Sequence, residues 1–165
     1  MVTTTVDPRS VAAAVVDPEL PMLTLADLGV LRDVAVATDG TVVVTITPTY
    51  SGCPALDVMR YDLRSALQRA GYDDVEIRTE LRPAWTTDWI TDAGKRKLAE
   101  AGIAPPGAAP QGPVLLTMGP RPETVPCPRC GSDDTTETSR FGATACKALR
   151  RCETCREPFE HFKEL

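Results

Sequence analysis

Cys127-Pro128-Arg129-Cys130 and Cys152-Glu153-Thr154-Cys155 are two Cys-x-x-Cys pairs separated by 21 residues. Two residues between thiols let one tight turn aim both sulfurs at one metal, and the longer interval suffices for a hairpin that returns to it. The pattern predicts one tetrahedral four-sulfur site in a small metal ribbon, with Cys127, Cys130, Cys152 and Cys155 as ligands. Zinc is the expected metal. A rubredoxin-like iron or a labile cluster would use the same donors. Cys146 is the odd thiol of this region. Its position fits a replacement ligand, a free thiol beside the metal, or a packed strand residue. His161 is the only histidine. Set in Phe159-Glu160-His161-Phe162, it reads as a strand residue rather than a ligand.

A sixth cysteine, Cys53, lies in Thr49-Tyr50-Ser51-Gly52-Cys53-Pro54. With Pro54 as the first helical residue, Cys53 becomes the N-cap, where unpaired amides and the helix dipole favour a thiolate. A small buried cysteine at a helix start is an equal reading. Asp17, Glu19 and Asp27 have no serine motif or histidine beside them. They read as turn formers and caps rather than as acid–base groups. Trp85 and Trp89 fit either a docking patch or a core. No phosphate loop, dinucleotide fingerprint or nucleophile elbow is present, which points away from a conventional enzyme.

The elements that must position these residues follow from local pattern. Asp7-Pro8 marks a helix start, with the helix running to about Val16. Val30 to Ala37 and Thr41 to Thr47 read as strands joined at Asp39-Gly40, a hairpin signal. Leu56, Met59, Leu63, Ala66, Leu67 and Ala70 share helical spacing, and Gly71 ends that helix. Val75, Ile77, Thr79 and Leu81 alternate as a strand. Asp92 to Ala101 is a last helix, capped by Thr91 and followed by Gly102. The order predicts an α+β fold, a small mixed-sheet domain with helices on one face, plus a C-terminal β zinc ribbon. The expected domains are residues 7–103, a Pro-rich linker at 104–126 with seven prolines, and the ribbon at 127–165. Val114 to Met118 offers a short strand to either part.

Bulk properties narrow the function classes. Net charge is −5, and from Cys127 to Leu165 acids and bases balance at seven each. Neither figure suits nucleic acid as the main partner. No apolar run is long enough to span a membrane, and MVTTTVDPRS lacks the features of a signal peptide. A cytoplasmic protein is therefore expected, with thiols serving metals rather than disulfides. At 39 residues the ribbon is too small to fold on apolar burial alone, so metal binding should be coupled to its folding.

Asp17-Pro18-Glu19-Leu20-Pro21, Asp27-Leu28-Gly29-Val30 and Thr49-Tyr50-Ser51-Gly52-Cys53-Pro54 resemble motifs of the small domain shared by SufT-type and cytosolic iron–sulfur assembly factors. Three further segments narrow the resemblance. They are Trp85-Thr86-Thr87-Asp88-Trp89-Ile90, Gly102-Ile103-Ala104-Pro105-Pro106 and the stretch from Cys152 to Lys163. Together they are similar to the PaaD family (also called PaaJ) of the phenylacetyl-CoA epoxidase system. The resemblance implies a non-catalytic accessory role in phenylacetate degradation. It implies maturation of the iron–sulfur or di-iron centre of the multicomponent oxygenase, with oxygenase or reductase subunits and the iron–sulfur assembly machinery as partners. Cys53 matches the assembly family's characteristic cysteine, which implies a role in holding or transferring iron or a cluster. A structural or regulatory component of the oxygenase is the alternative, and a rubredoxin-like electron carrier is a third class.

Overall fold

A computed structural model describes residues 6–107 and 124–164. Most of the proline-rich segment, including the strand offered at Val114–Met118, lies outside the described residues. The chain forms two compact units that divide between Gly94 and Lys95. No helix of the described residues is long and apolar enough to cross a membrane.

In the first unit the Asp7 carboxylate caps α1 (Pro8–Ala13), accepting from the amides of Arg9 and Ser10 at 3.3 and 3.0 Å. The helix stops short of the expected Val16 because the next residues are claimed by another pairing. Val16 bridges Thr24, with Leu25 N donating to Val15 O and Asp17 N to Leu23 O. β1 (Leu31–Val36) and β2 (Val42–Ile46) form the hairpin around Asp39-Gly40, and β3 (Val75–Thr79) lies parallel to β2 on its other side. The sheet is therefore mixed. Val34, Val44 and Ile77 are in register, and Val34, Val42, Val44 and Ile46 are buried on that face. α2 (Leu56–Arg69) adds Met59, Leu63 and Leu67 at helical spacing. Each fully buried aliphatic side chain contributes roughly 1.5–3 kcal/mol. This unit thus has an apolar core that needs no metal.

The Trp85–Gly94 segment straps the Asp27-Leu28-Gly29 turn. Trp85 is buried and its indole N–H donates to Leu28 O at 2.9 Å. Thr91 N donates to Asp27 O at 2.9 Å, and the Arg32 guanidinium stacks 3.6 Å from the Trp89 ring centre. Gly29 has φ +69°, and a Cβ there would lie 2.5 Å from Trp89 O. Only glycine permits both that backbone and that approach. The tryptophans are accordingly an internal brace, one in the core and one under an arginine. α3 (Asp92–Glu100) begins as expected, with the Thr91 hydroxyl accepting from Gly94 N at 3.0 Å.

The second unit is a four-stranded sheet in the order β4-β7-β6-β5. β5 (Thr135–Ser139), β6 (Lys147–Cys152) and β7 (Pro158–Phe162) form an antiparallel meander, and β4 (Ile103–Ala104) pairs parallel to β7. Ile103, expected to end the first part, and Ala104, expected to open the linker, thus complete the ribbon sheet. Ala104, Val125, Cys127, Cys152 and Phe159 form its buried apolar cluster.

Candidate metal centre

Both Cys-x-x-Cys segments fold as the same turn. In the first, Cys127 N donates to Ser132 O at 2.9 Å and Gly131 takes φ +73°. In the second, Cys152 N donates to Glu157 O at 3.0 Å and Arg156 takes φ +65°. The left-handed residue thus follows the second cysteine in each knuckle. Glycine fills that place at no steric cost in one and an arginine is held there in the other. β6 delivers the second knuckle directly, since Cys152 is its last residue. The knuckles are tied by the Ser132 and Thr154 hydroxyls at 2.7 Å and by Glu153 N donating to Asp134 O at 2.9 Å.

The four sulfurs of Cys127, Cys130, Cys152 and Cys155 lie within 4.8 Å of one another. Cys127 and Cys155 are 3.8 Å apart, and Cys130 and Cys152 are 3.6 Å apart. A tetrahedral ion with metal–sulfur bonds of about 2.3 Å requires sulfurs about 3.8 Å apart, so the donor set fits such an ion. Cys127 and Cys152 are buried, whereas Cys130 and Cys155 are exposed. Backbone amides face the sulfurs, with Cys155 N donating to Cys152 Sγ at 3.4 Å.

The thiols divide in acidity. The Cys155 amide leads the forces that bring Cys152 down to about 7, against burial, with the Cys155 thiol, the Thr154 amide and the Cys130 thiol assisting. At Cys155 the Glu157 amide pulls downward, but burial and the thiols of Cys152, Cys130 and Cys127 outweigh it and push the group up to about 12. At Cys130 the Ser132 amide also pulls downward, yet burial and neighbouring thiols leave the pKa raised. One thiolate therefore forms readily and later ones are opposed by charge repulsion. A divalent cation at the centre removes that opposition. The four sulfurs could hold one metal ion, in the geometry of a zinc ribbon.

The other candidates lie elsewhere. Cys146 is buried with its sulfur 3.0 Å from the Thr144 hydroxyl, outside the four-sulfur cluster. His161 is buried on the inner face of the sheet, opposite Ala148 and Ala104, and among the described residues neither ring nitrogen has a hydrogen-bond partner. Burial, then Arg150 and Lys163, lowers its pKa to about 4, which keeps it neutral. Asp17 accepts from the amides of Glu19 and Leu20, both at 2.8 Å. Asp27 and Thr24 exchange side-chain bonds with each other's amides at 3.0 Å. These are turn and capping roles.

Cys53 is buried but is not an N-cap. The N-cap of α2 is Ala55, which makes no side-chain cap bond. Pro54 is spent in a turn. Cys53 N donates to Tyr50 O and Cys53 O accepts from Leu56 N, both at 3.2 Å, and the helical ladder opens only with Met59 N donating to Ala55 O. One turn, from Cys53 to Leu56, therefore lies between the thiol and the helix, and Cys53 does not hold the N-cap position on which the dipole argument for a thiolate rests. Beside this loop, Thr47 to Ser51 and Leu81, Ala84 and Trp85 line a cleft of about 200 Å³. Reading the sequence missed Arg156 as a structural residue. The signal was its place, four residues after Cys152 as Gly131 is four after Cys127.

Residues 112–163 match the family described as PaaD zinc beta ribbon domain, and residues 10–78 match the iron-sulfur cluster assembly protein family. An Escherichia coli (strain K12) protein, named as the putative D subunit of 1,2-phenylacetyl-CoA epoxidase, is 47% identical over 147 residues, spanning 89% of this chain and 85% of that one. The chain belongs to the PaaD family. A shorter relative, named "Fe-S protein maturation auxiliary factor" in Porphyromonas gingivalis (strain ATCC BAA-308 / W83), is 35% identical over 51% of this chain and 80% of its own. The crystal structure of a domain of unknown function, DUF59, from Bacillus anthracis is similar at a TM-score of 0.51 and 26% identity, over 55% of this chain and 87% of that one. This PaaD-family chain thus joins an assembly-type α+β unit to a metal ribbon.

Proposed function

We propose that this protein is a non-catalytic accessory component of phenylacetyl-CoA epoxidase that matures the iron–sulfur or di-iron centre of the multicomponent oxygenase. In this reading Cys127, Cys130, Cys152 and Cys155 hold a structural zinc. Cys53 transiently holds iron or a cluster received from the iron–sulfur assembly machinery. The observation that carries the reading is the joining, in one chain, of a unit similar to maturation factors with the ribbon of the PaaD family. The chemistry agrees with it. The four-sulfur site is braced by two buried cysteines in an apolar cluster, which suits a resident ion. Cys53 lies in a separate loop whose unit folds on its own core, so loading and unloading there leaves the fold intact.

The test is client metallation. Oxygenase and reductase subunits are isolated anaerobically from cells carrying either the wild-type protein or Cys53→Ser. Reduced client iron with a folded, zinc-loaded Cys53→Ser protein is expected. Full client metallation with that variant sinks the reading. So does stimulation of an already matured complex by added protein, which is the behaviour of a regulatory component. Metal content and the visible spectrum of the protein itself complete the test. Iron–thiolate bands that persist in Cys53→Ser would put iron in the ribbon and favour electron transfer.

A further inference from the structure

Arg150 is 5% exposed, and burial penalises its charge unless opposite charge lies close. The strand fixes its place. The buried positions of β6 alternate as Ala148, Arg150 and Cys152, so Arg150 shares a face of the sheet with the first cysteine of the second knuckle. Two residues along a strand span about 7 Å. Opposite Arg150 on β7 is Phe159, which belongs to the buried cluster with Cys127 and Cys152.

The side chain leans toward the knuckles. Arg150 Nη2 donates to Thr135 O and Oγ1 at 3.4 and 3.3 Å, and Nε donates to the same hydroxyl at 3.4 Å. Thr135 is the register partner of Cys152, so their side chains stand on one face, about 4.5–5.5 Å apart at Cβ. The Thr135 hydroxyl in turn donates to Val125 O at 2.7 Å, two residues before Cys127. The guanidinium is thus tied to a residue that links the backbone before Cys127 with the strand that ends in Cys152. Glu137, opposite Arg150 in the register on β5, is exposed, so water screens its carboxylate.

Four thiolates around a divalent ion retain two negative charges, and around a trivalent ion one. A fixed cation beside them favours the divalent state more. We propose that Arg150 is the charge-compensating positioning residue of the four-sulfur site. It strengthens the hold on a divalent ion and biases the site toward zinc or iron(II) over iron(III). The buried guanidinium and the anionic site each offset the other's desolvation. The proposal rests on the ribbon reading of the four cysteines, and on neither Cys53 nor a client protein.

The full-length wild type is compared with Arg150→Gln, which removes the charge, and Arg150→Lys, which keeps it. Zinc affinity is measured by competition with a chromophoric chelator at fixed pH. The same proteins are reconstituted with iron, and the reduction potential is read by mediated electrochemical titration. Arg150→Gln is expected to bind zinc about 10–100-fold more weakly, as for other residues that support a metal's ligands. Arg150→Lys should recover much of that loss. The iron potential should fall in Arg150→Gln, because the more negative reduced site loses its countercharge, and stay near the wild-type value in Arg150→Lys. Metal held by Arg150→Lys and lost entirely by Arg150→Gln is the same result in its extreme form. A role confined to the bonds with Thr135 would weaken zinc binding and leave the potential unmoved. The proposal is overturned if Arg150→Gln keeps the wild-type zinc affinity or potential. It is overturned equally if Arg150→Lys behaves like Arg150→Gln, including the case in which neither folds. A wild type that binds no zinc would sink the ribbon reading and this proposal together. Client metallation does not enter, so the maturation reading can fail while the assignment of Arg150 stands.

Discussion

The two knuckles make a matched experiment. Gly131 and Arg156 occupy the same left-handed place, at φ +73° and +65°. A left-handed backbone costs an L-residue about 1–2 kcal/mol relative to glycine. Glycine loses about 0.4–1 kcal/mol of that advantage through its freer unfolded chain. The net preference of glycine over alanine is then about 1 kcal/mol at either place. Nothing else enters at position 131, because a Cβ there meets no atom within 4 Å. At position 156, replacing arginine also removes the exposed pair with Glu153 at 3.4 Å, worth about 0–1 kcal/mol. Comparing Arg156→Gly with Arg156→Ala cancels that loss. Folding of the ribbon is coupled to metal, so the difference should appear in apparent metal affinity. About 1 kcal/mol is roughly a fivefold change. The assay is competition for zinc with a chromophoric chelator at fixed pH. Wild type should exceed Gly131→Ala about fivefold, and Arg156→Gly should exceed Arg156→Ala by the same factor. Equal affinities for glycine and alanine at position 156 would refute the claim that the second knuckle repeats the first at the cost of a strained arginine.

Three further outcomes follow from the geometry. Cys152→Ser should lose stoichiometric metal by elemental analysis, whereas Cys146→Ser should keep it, because only Cys152 belongs to the cluster. Gly29→Ala should destabilise the first unit by about 2–5 kcal/mol in denaturant unfolding, adding overpacking against Trp89 to the left-handed cost; a loss below about 1 kcal/mol would sink the strap argument. His161 has a folded-state pKa of about 4, below its ordinary 6.5, so between those values the unfolded chain binds the proton and the folded one does not. Stability should therefore fall as pH drops from 6.5 toward 4, and His161→Leu, measured with zinc saturating, should lose less than the wild type over that window, by roughly 1 kcal/mol per pH unit.

Much of this was legible in the chain because local pattern and tertiary structure agree. The hairpin around Asp39-Gly40, the spacing of Met59, Leu63 and Leu67, and the Thr91 cap all lie where periodicity and capping rules put them. The cysteine pairs were legible for the same reason, since two-residue spacing is itself a turn geometry. The N-cap placement of Cys53 fails because Pro54 fits a turn as well as it fits a first helical position. What decided between them was the Tyr50 carbonyl taking the Cys53 amide, a bond that composition does not encode. The tryptophans were ambiguous because exposure depends on a partner 57 residues away, the Leu28 carbonyl. The strand at Ile103-Ala104 fell across the expected boundary between the first part and the linker because two residues have no period, and it exists only through pairing with Glu160 and His161.

The separation of the two thiol systems bears on which one can carry cargo. Removing the ion from the four-sulfur site would leave Cys127 and Cys152 buried beside Val125 and Phe159 while repulsion forced protons back onto the remaining thiols. Beyond that cluster the ribbon buries Ile103, Ala148 and Phe162, a core small enough that release of its metal should also cost its fold. A factor that must hand iron over repeatedly is poorly served by a site whose emptying unfolds it. The unit holding Cys53 has no such dependence, for its buried Val34, Val44, Ile46, Leu63 and Leu67 remain packed whatever the thiol binds. The same reasoning separates two results that would otherwise look alike. A Cys152→Ser protein that fails in cells should also fail to stay folded, whereas a Cys53→Ser protein that fails should remain folded and zinc-loaded, and only the second failure would speak for transfer.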